Sequence, residues 1–162
     1  MKLFNTILTA LLITLLSSPS WGVPLELLVK RDGLYYPKFS DVPFTGEVTG
    51  KSQGNLKNGK EEGEWLSYYD TGQMSSKGNY KNGQKEGTWV IYRTGGHLWL
   101  KGNYKNDERT GDWVGFWSNG QLMSKGNYEN GDKEGTWVEF NADGTPWESL
   151  AGTYKDGVKI SD

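Results

Sequence analysis

A single histidine, His97, is the chain's whole supply of imidazole. It stands beside Gly95-Gly96, where the equivalent positions carry Gln73, Gln121 and Thr145. No acid or nucleophile recurs near it, so it reads as a solvated turn residue and not as a general base. Carboxylates are plentiful: Glu61, Glu62, Glu86, Asp107, Glu108, Asp132 and Glu134 gather at one set of turns, interleaved with Lys60, Lys85, Arg109 and Lys133. A calcium site needs three or more converging oxygens, and neither the EF-hand spacing nor G-G-x-G-x-D occurs. Spacing alone leaves a paired-carboxylate hydrolase open, but the repetition of these acids speaks for structure and solvation. The serines carry no G-x-S-x-G elbow, and no phosphate-binding glycine loop opens a helix. The absence of cysteine removes thiolate metal sites, disulfides and cysteine nucleophiles. The expectation is a non-catalytic protein with no cofactor and no metal.

The residues that remain are aromatic. The chain of 162 residues holds 8 Trp, 9 Tyr and 5 Phe together with 23 Gly. Glycine-rich disordered chains lack aromatics, so glycine and aromatics rising together point to folded β structure with many tight turns. The length allows one domain or a short repeat array. A net charge of −2 supplies no electrostatic reason to expect nucleic acid.

The first residues read as an address. Lys2 precedes an apolar run from Leu3 to Leu16, then Ser17, Ser18 and Pro19, with Ser20 and Gly22 as small residues at the −3 and −1 sites. That is the order of a secretory signal peptide, spanning 1–22 with cleavage before Val23. The run is short for a membrane span. The expectation is a soluble exported chain, periplasmic or secreted.

Self-similarity decides the fold. Segments starting at Gly63, Gly87, Gly111 and Gly135 recur every 24 residues. Trp65, Trp89, Trp113 and Trp137 come two residues in, Tyr68, Tyr92, Phe116 and Phe140 three later, and Tyr80, Tyr104, Tyr128 and Tyr154 close each unit. Each unit holds two turn signals. The first is Thr71-Gly72, Gly95-Gly96, Asn119-Gly120 or Asp143-Gly144, and the second Asn82-Gly83, Asn106-Asp107, Asn130-Gly131 or Asp156-Gly157. Such pairs supply positive φ for two-residue type I′ turns. The sequence therefore predicts an all-β fold, an elongated single-layer antiparallel meander of repeated 24-residue β-hairpins. Residues 57–162 would form four repeats, and 23–56 an N-terminal β cap and partial repeat, since an array must hide its apolar end.

A two-residue first turn sets a register in which Trp65 faces Gly78, Trp89 faces Gly102 and Trp113 faces Gly126, with Tyr69 opposite Met74 and Trp117 opposite Leu122. An indole across from a strand glycine can cover its bare backbone. The tryptophans and closing tyrosines then share one face, expected to be the packed one. The other collects Leu66, Val90, Val114 and Val138, the column Tyr68, Tyr92, Phe116 and Phe140, and a variable column of Trp99, Met123 and Trp147. A single layer cannot bury both faces by itself, so one face is expected to meet another layer, a copy or a ligand. Trp99, Trp117 and Trp147 break the repeat consensus. With Met123 and the Tyr68, Tyr92, Phe116 and Phe140 column they form the candidate interaction surface.

The G-x-W-x-x-Y/F unit, the x-G turn, the Gly-Asn-Tyr and the Asn-Gly resemble the MORN repeat in its bacterial variant form, over Gly63 to Lys159 and more loosely from Phe44. Leu34-Tyr35-Tyr36, then Pro43-Phe44-Thr45-Gly46, then repeats resembles a toxin–antitoxin antitoxin family of MORN-repeat proteins. Asp107 in place of the turn glycine and the insertion in the last repeat depart from the pattern. The resemblance implies a non-catalytic interaction module, whose relatives are linked to scaffolding, self-association and membrane lipid. The expected function is protein–protein interaction by an exported repeat protein, antitoxin- or immunity-like in a specialised form, with a toxin or envelope protein as partner. The alternative is an envelope binder of glycan or lipid.

Overall fold

The computed structural model describes residues 22–162, so the expected signal peptide lies outside the described residues apart from Gly22. The described residues begin with β1 (Val23–Pro24) and a single 3-10 turn, Leu25–Leu27. A hairpin of β2 (Leu28–Arg31) and β3 (Leu34–Pro37) follows, and then β4 (Gly46–Thr49) and β5 (Ser52–Lys57). The repeats supply β6 (Lys60–Tyr68), β7 (Met74–Lys81), β8 (Gln84–Tyr92), β9 (Leu98–Lys105), β10 (Glu108–Phe116), β11 (Leu122–Glu129) and β12 (Asp132–Glu139). The last two strands are β13 (Gly152–Lys155) and β14 (Val158–Ser161). From β4 to β14 every strand pairs with its sequence neighbour, and β1 joins β4 in parallel, giving one 12-stranded sheet. At about 4.8 Å per strand it is roughly 50 Å long. The meander of hairpins is the expected fold.

The β2–β3 hairpin forms a separate sheet folded onto the tryptophan face at the N-terminal end. There Leu28, Val48, Leu56 and Trp65 make one core, with Val48 and Leu56 the most deeply buried side chains. Tyr35 N–H donates to Gly59 O at 2.8 Å and ties the hairpin to the first repeat turn. Among the described residues only this end is two layers thick.

The second turns are type I′ as expected. Asn82 and Gly83 have φ of 52° and 82°, and Asn106 and Asp107 have 50° and 69°, so Asp107 adopts the left-handed conformation without glycine. The first turns are different. Tyr69 N–H donates to Gln73 O (2.8 Å) and Gly72 N–H to Tyr69 O (2.9 Å), and the same pair of bonds recurs at Arg93, Trp117 and Asn141. Each is a three-residue loop in which the final glycine is left-handed and Thr71, Asn119 or Asp143 is not.

That extra loop residue corrects the register near the turn. Tyr68, not Tyr69, pairs with Met74, and Phe116, not Trp117, pairs with Leu122. One residue of the returning strand then bulges out, at Ser75, Trp99 or Met123. Beyond it Ser67 pairs with Ser76, and the expected register of Trp65 with Gly78, Trp89 with Gly102 and Trp113 with Gly126 is restored. A longer loop and a bulge cancel. Between them they exchange the faces of two columns, because a one-residue slip flips a strand's side chains.

Candidate functional site

A second irregularity builds the tryptophan face. In the β7–β8 ladder Lys77 pairs with Val90 and Asn79 with Glu86, so Gly78 alone faces Gly87, Thr88 and Trp89. Gly87 takes φ 69°, which lets the strand fold back and lay the indole of Trp89 over Gly78. A Cβ on Gly78 would fall 2.1 Å from Trp89 Cδ2; Gly102 stands the same way to Trp113, and Gly126 at 2.2 Å to Trp137. The pairing partners are those expected, but the covered glycine belongs to the preceding repeat. Each indole therefore staples its hairpin to the one before. Its N–H completes the staple, donating to Asn79 O from Trp89 (3.1 Å), to Asn103 O from Trp113 (3.1 Å) and to Asn127 O from Trp137 (3.0 Å).

Between the indoles stand the closing tyrosines. Trp65, Tyr80, Trp89, Tyr104, Trp113, Tyr128 and Trp137 form an unbroken edge-to-face ladder, centroids 4.9 to 6.2 Å apart. Each such contact adds about 0.5–1.5 kcal/mol beyond burial. Cations roof it: Lys85 lies over Trp89 and Tyr104, Arg109 over Trp113 and Tyr128, Lys133 over Trp137 and Tyr154. The four repeat tryptophans are only 3 to 5% exposed. On this face tyrosines and cations of the same sheet supply the cover beyond the cap, so the cover a single layer cannot give to both its faces is wanting on the opposite one.

The candidate interaction residues divide. Met123 reaches the tryptophan face, its Cε 2.8 Å from where a Gly115 Cβ would stand. Trp99 is the equivalent bulge residue one repeat earlier, with the Arg93 guanidinium over its ring at 4.6 Å. Their expected placement on the opposite face is overturned by the bulge. Trp117 has a structural job: its Nε1–H donates to Phe140 O at 2.9 Å, as the Tyr69 hydroxyl does to Tyr92 O at 2.6 Å and Arg93 Nη2 to Phe116 O at 3.4 Å. Three unlike side chains make one inter-repeat clip, and sequence comparison missed it because the donor type is not repeated. Trp147 is 40% exposed beyond the Phe140–Pro146 bridge.

The opposite face keeps Tyr68, Tyr92, Phe116 and Phe140 half-buried beside Leu66, Val90 and Val114, with Val138 37% exposed. Lys77, Lys101 and Lys125 line this stripe, paired across the ladder with Leu66, Val90 and Val114. Lys77 is held by Glu64 at 2.6 Å.

Several turn acids do more than face solvent. Glu62 and Glu86 accept the backbone N–H of Asn82 (2.8 Å) and Asn106 (3.2 Å), Glu134 that of Asp156 (3.0 Å), and Asp107 that of Lys85 (2.8 Å). Among the described residues no group of three or more His, Asp or Glu could hold a metal ion. His97 lies exposed in its turn.

Burial, with the Glu61 carboxylate next in effect, pushes the Tyr80 hydroxyl up to about 12. An unfolded tyrosine ionises near 10, so the folded state holds a proton that the unfolded state has lost between these values. Stability contributed by neutral Tyr80 is complete below about pH 10 and falls as pH rises toward 12. The expected loss is on the order of 1–2 kcal/mol, discounted for the part of the ring that meets water. Urea titrations between pH 9 and 11.5 measure it, and Tyr80→Phe should flatten that share of the slope.

The model of the MORN repeat variant family matches residues 61–82, 85–106 and 109–130. No curated protein matches the chain. Each matched stretch runs from the carboxylate or cation slot at Glu61, Lys85 or Arg109 through the stapling tryptophan to the first residue of the type I′ turn. Residues 61–130 thus carry three consecutive MORN repeats of the variant kind, and these form the centre of the sheet.

Proposed function

We propose that this chain is a non-catalytic binding protein that takes a protein partner on the sheet face opposite the tryptophan ladder. One observation carries the reading. The tryptophan face is consumed in stapling its own repeats, while the other keeps an aromatic and aliphatic stripe half-open along the repeats, edged by lysines. Interfaces of this type centre on aromatic anchors with a polar rim. Export belongs to the same proposal: β1 begins at Val23, the residue that the expected cleavage would leave as the N-terminus. N-terminal sequencing of the mature chain tests that part.

Crosslinking in the intact envelope followed by mass spectrometry tests the partner. Val138→Asp and Tyr92→Asp, each checked for an unchanged β spectrum and melting point, should abolish a crosslink that Trp147→Ala retains. Recovery of no stable partner sinks the reading. An antitoxin- or immunity-like role is its specialised form, and a toxin gene beside this one is the observation it requires. A second reading, glycan or anionic lipid on the same stripe, draws on the exposed Lys101 and Lys125 next to Tyr92 and Phe116. Co-sedimentation with peptidoglycan and with anionic vesicles separates it from the first.

A further inference from the structure

Along the long sheet five type I′ turns begin at Asn58, Asn82, Asn106, Asn130 and Asp156. The N–H of that first turn residue is not used inside a two-residue hairpin loop, so its acceptor is either water or a group from elsewhere. Four of the five find one in the preceding unit. Thr45 Oγ1 serves Asn58 at 2.8 Å, Glu62 serves Asn82, Glu86 serves Asn106, and Glu134 serves Asp156. The three glutamates are 24-residue equivalents, and the missing member of their column is Thr110. Among the described residues no side chain accepts the Asn130 N–H.

The vacated place is open space. A cavity of about 250 Å³ lies there, lined by Lys105, Asn106, Glu108, Arg109, Thr110 and Asn130. The groove one repeat further on has the same construction with Glu134 in it. Two cations border the gap. Arg109 is anchored, with Nη1 donating to the Tyr128 hydroxyl at 2.9 Å and its guanidinium over Trp113 and Tyr128. Lys105 is exposed. Asp107, the nearest acid in the turn, is committed to Lys85 N–H and does not turn into the gap. Glu108 also lines the groove, so a dianion would meet repulsion that a monoanion largely avoids.

We propose that the groove between the Asn106 and Asn130 turns is a carboxylate-binding site. An external monocarboxylate replaces the missing glutamate, accepts the Asn130 N–H, and is flanked by Lys105 and Arg109. The inference goes beyond the protein-binding reading and does not depend on which sheet face a partner uses. The carboxylate is either a small free acid or an acidic side chain of another polypeptide.

The test follows the Asn130 amide by ¹⁵N–¹H NMR on the intact chain. Acetate should move it downfield in a saturable manner at millimolar concentration, while chloride at equal ionic strength and inorganic phosphate should not. Thr110→Glu restores the absent carboxylate, so its Asn130 amide should start downfield, ignore acetate, and accompany a rise of a few degrees in Tm. Lys105→Glu, a surface change safe for folding, should weaken acetate several-fold. An acetyl-Gly-Glu-Gly-amide peptide binding tenfold tighter than acetate assigns the site to a polypeptide; equal or weaker binding assigns it to a free acid. An Asn130 amide that does not saturate with acetate, follows chloride equally, or responds unchanged in Thr110→Glu overturns the proposal.

Discussion

Replacing Gly102 by alanine is expected to cost about 3 kcal/mol or more, the upper range for forcing an extra group into a packed site. The added Cβ would stand 2.1 Å from Cδ2 and 2.3 Å from Cε2 of Trp113, atoms of a rigid ring that cannot step aside locally. The indole must lift, and lifting it breaks its hydrogen bond to Asn103 O and its contacts with Tyr104 and Tyr128. Because each hairpin meets only its neighbours, a lost staple is a weakened joint in a one-dimensional array. Urea unfolding should therefore separate into two steps, with β4–β9 and β10–β14 no longer melting together. Gly120→Ala is the control. Gly120 has φ 82° and nothing within 4 Å of a new Cβ, so it should lose only about 1 kcal/mol from the left-handed backbone. Equal costs at the two sites would mean that the indole does not seal the joint.

The columns of the fold were legible because the physics repeats at a fixed interval. Tryptophan, closing tyrosine and type I′ turn recur every 24 residues, and the middle register of each hairpin followed from them. What the sequence hid was local arithmetic. An x-Gly pair can end a three-residue loop as readily as it can form a two-residue one. The difference moved Trp99 and Met123 to the tryptophan face and paired Leu98 with Tyr92 and Leu122 with Phe116. The direction of each indole was hidden too, since pairing names the residue opposite and not the neighbour toward which a bulged strand leans. Trp117 looked surplus because Tyr69 and Arg93 do its work with different chemistry. The break at Thr110 was hidden as well, for only the hydrogen bonds of Glu62, Glu86 and Glu134 reveal what its column is for.

Restoring the repeat consensus at Leu56 is expected to harm the protein, against the usual gain from consensus changes. Leu56 pairs with Gly46 as Tyr80 pairs with Gly63, so tyrosine is the residue the repeat would place there. The cap changes the requirement. Leu56 is 2% exposed within the core of Leu28, Val48 and Trp65, beneath the β2–β3 hairpin, whereas Tyr80 is only partly buried beside that core. A phenol in that space overfills it and strands a hydroxyl without a partner, together about 3 kcal/mol. Leu56→Ala should lose a similar amount, about 2–5 kcal/mol, from the opposite cause of an unfilled cavity. Both changes should loosen the cap before the repeats, so protease cleavage after Lys38 should rise while the fluorescence of the downstream tryptophans stays native. If Leu56→Tyr proves neutral and the cap stays protected, the hairpin does not close over this position and the N-terminal core is not what seals the array.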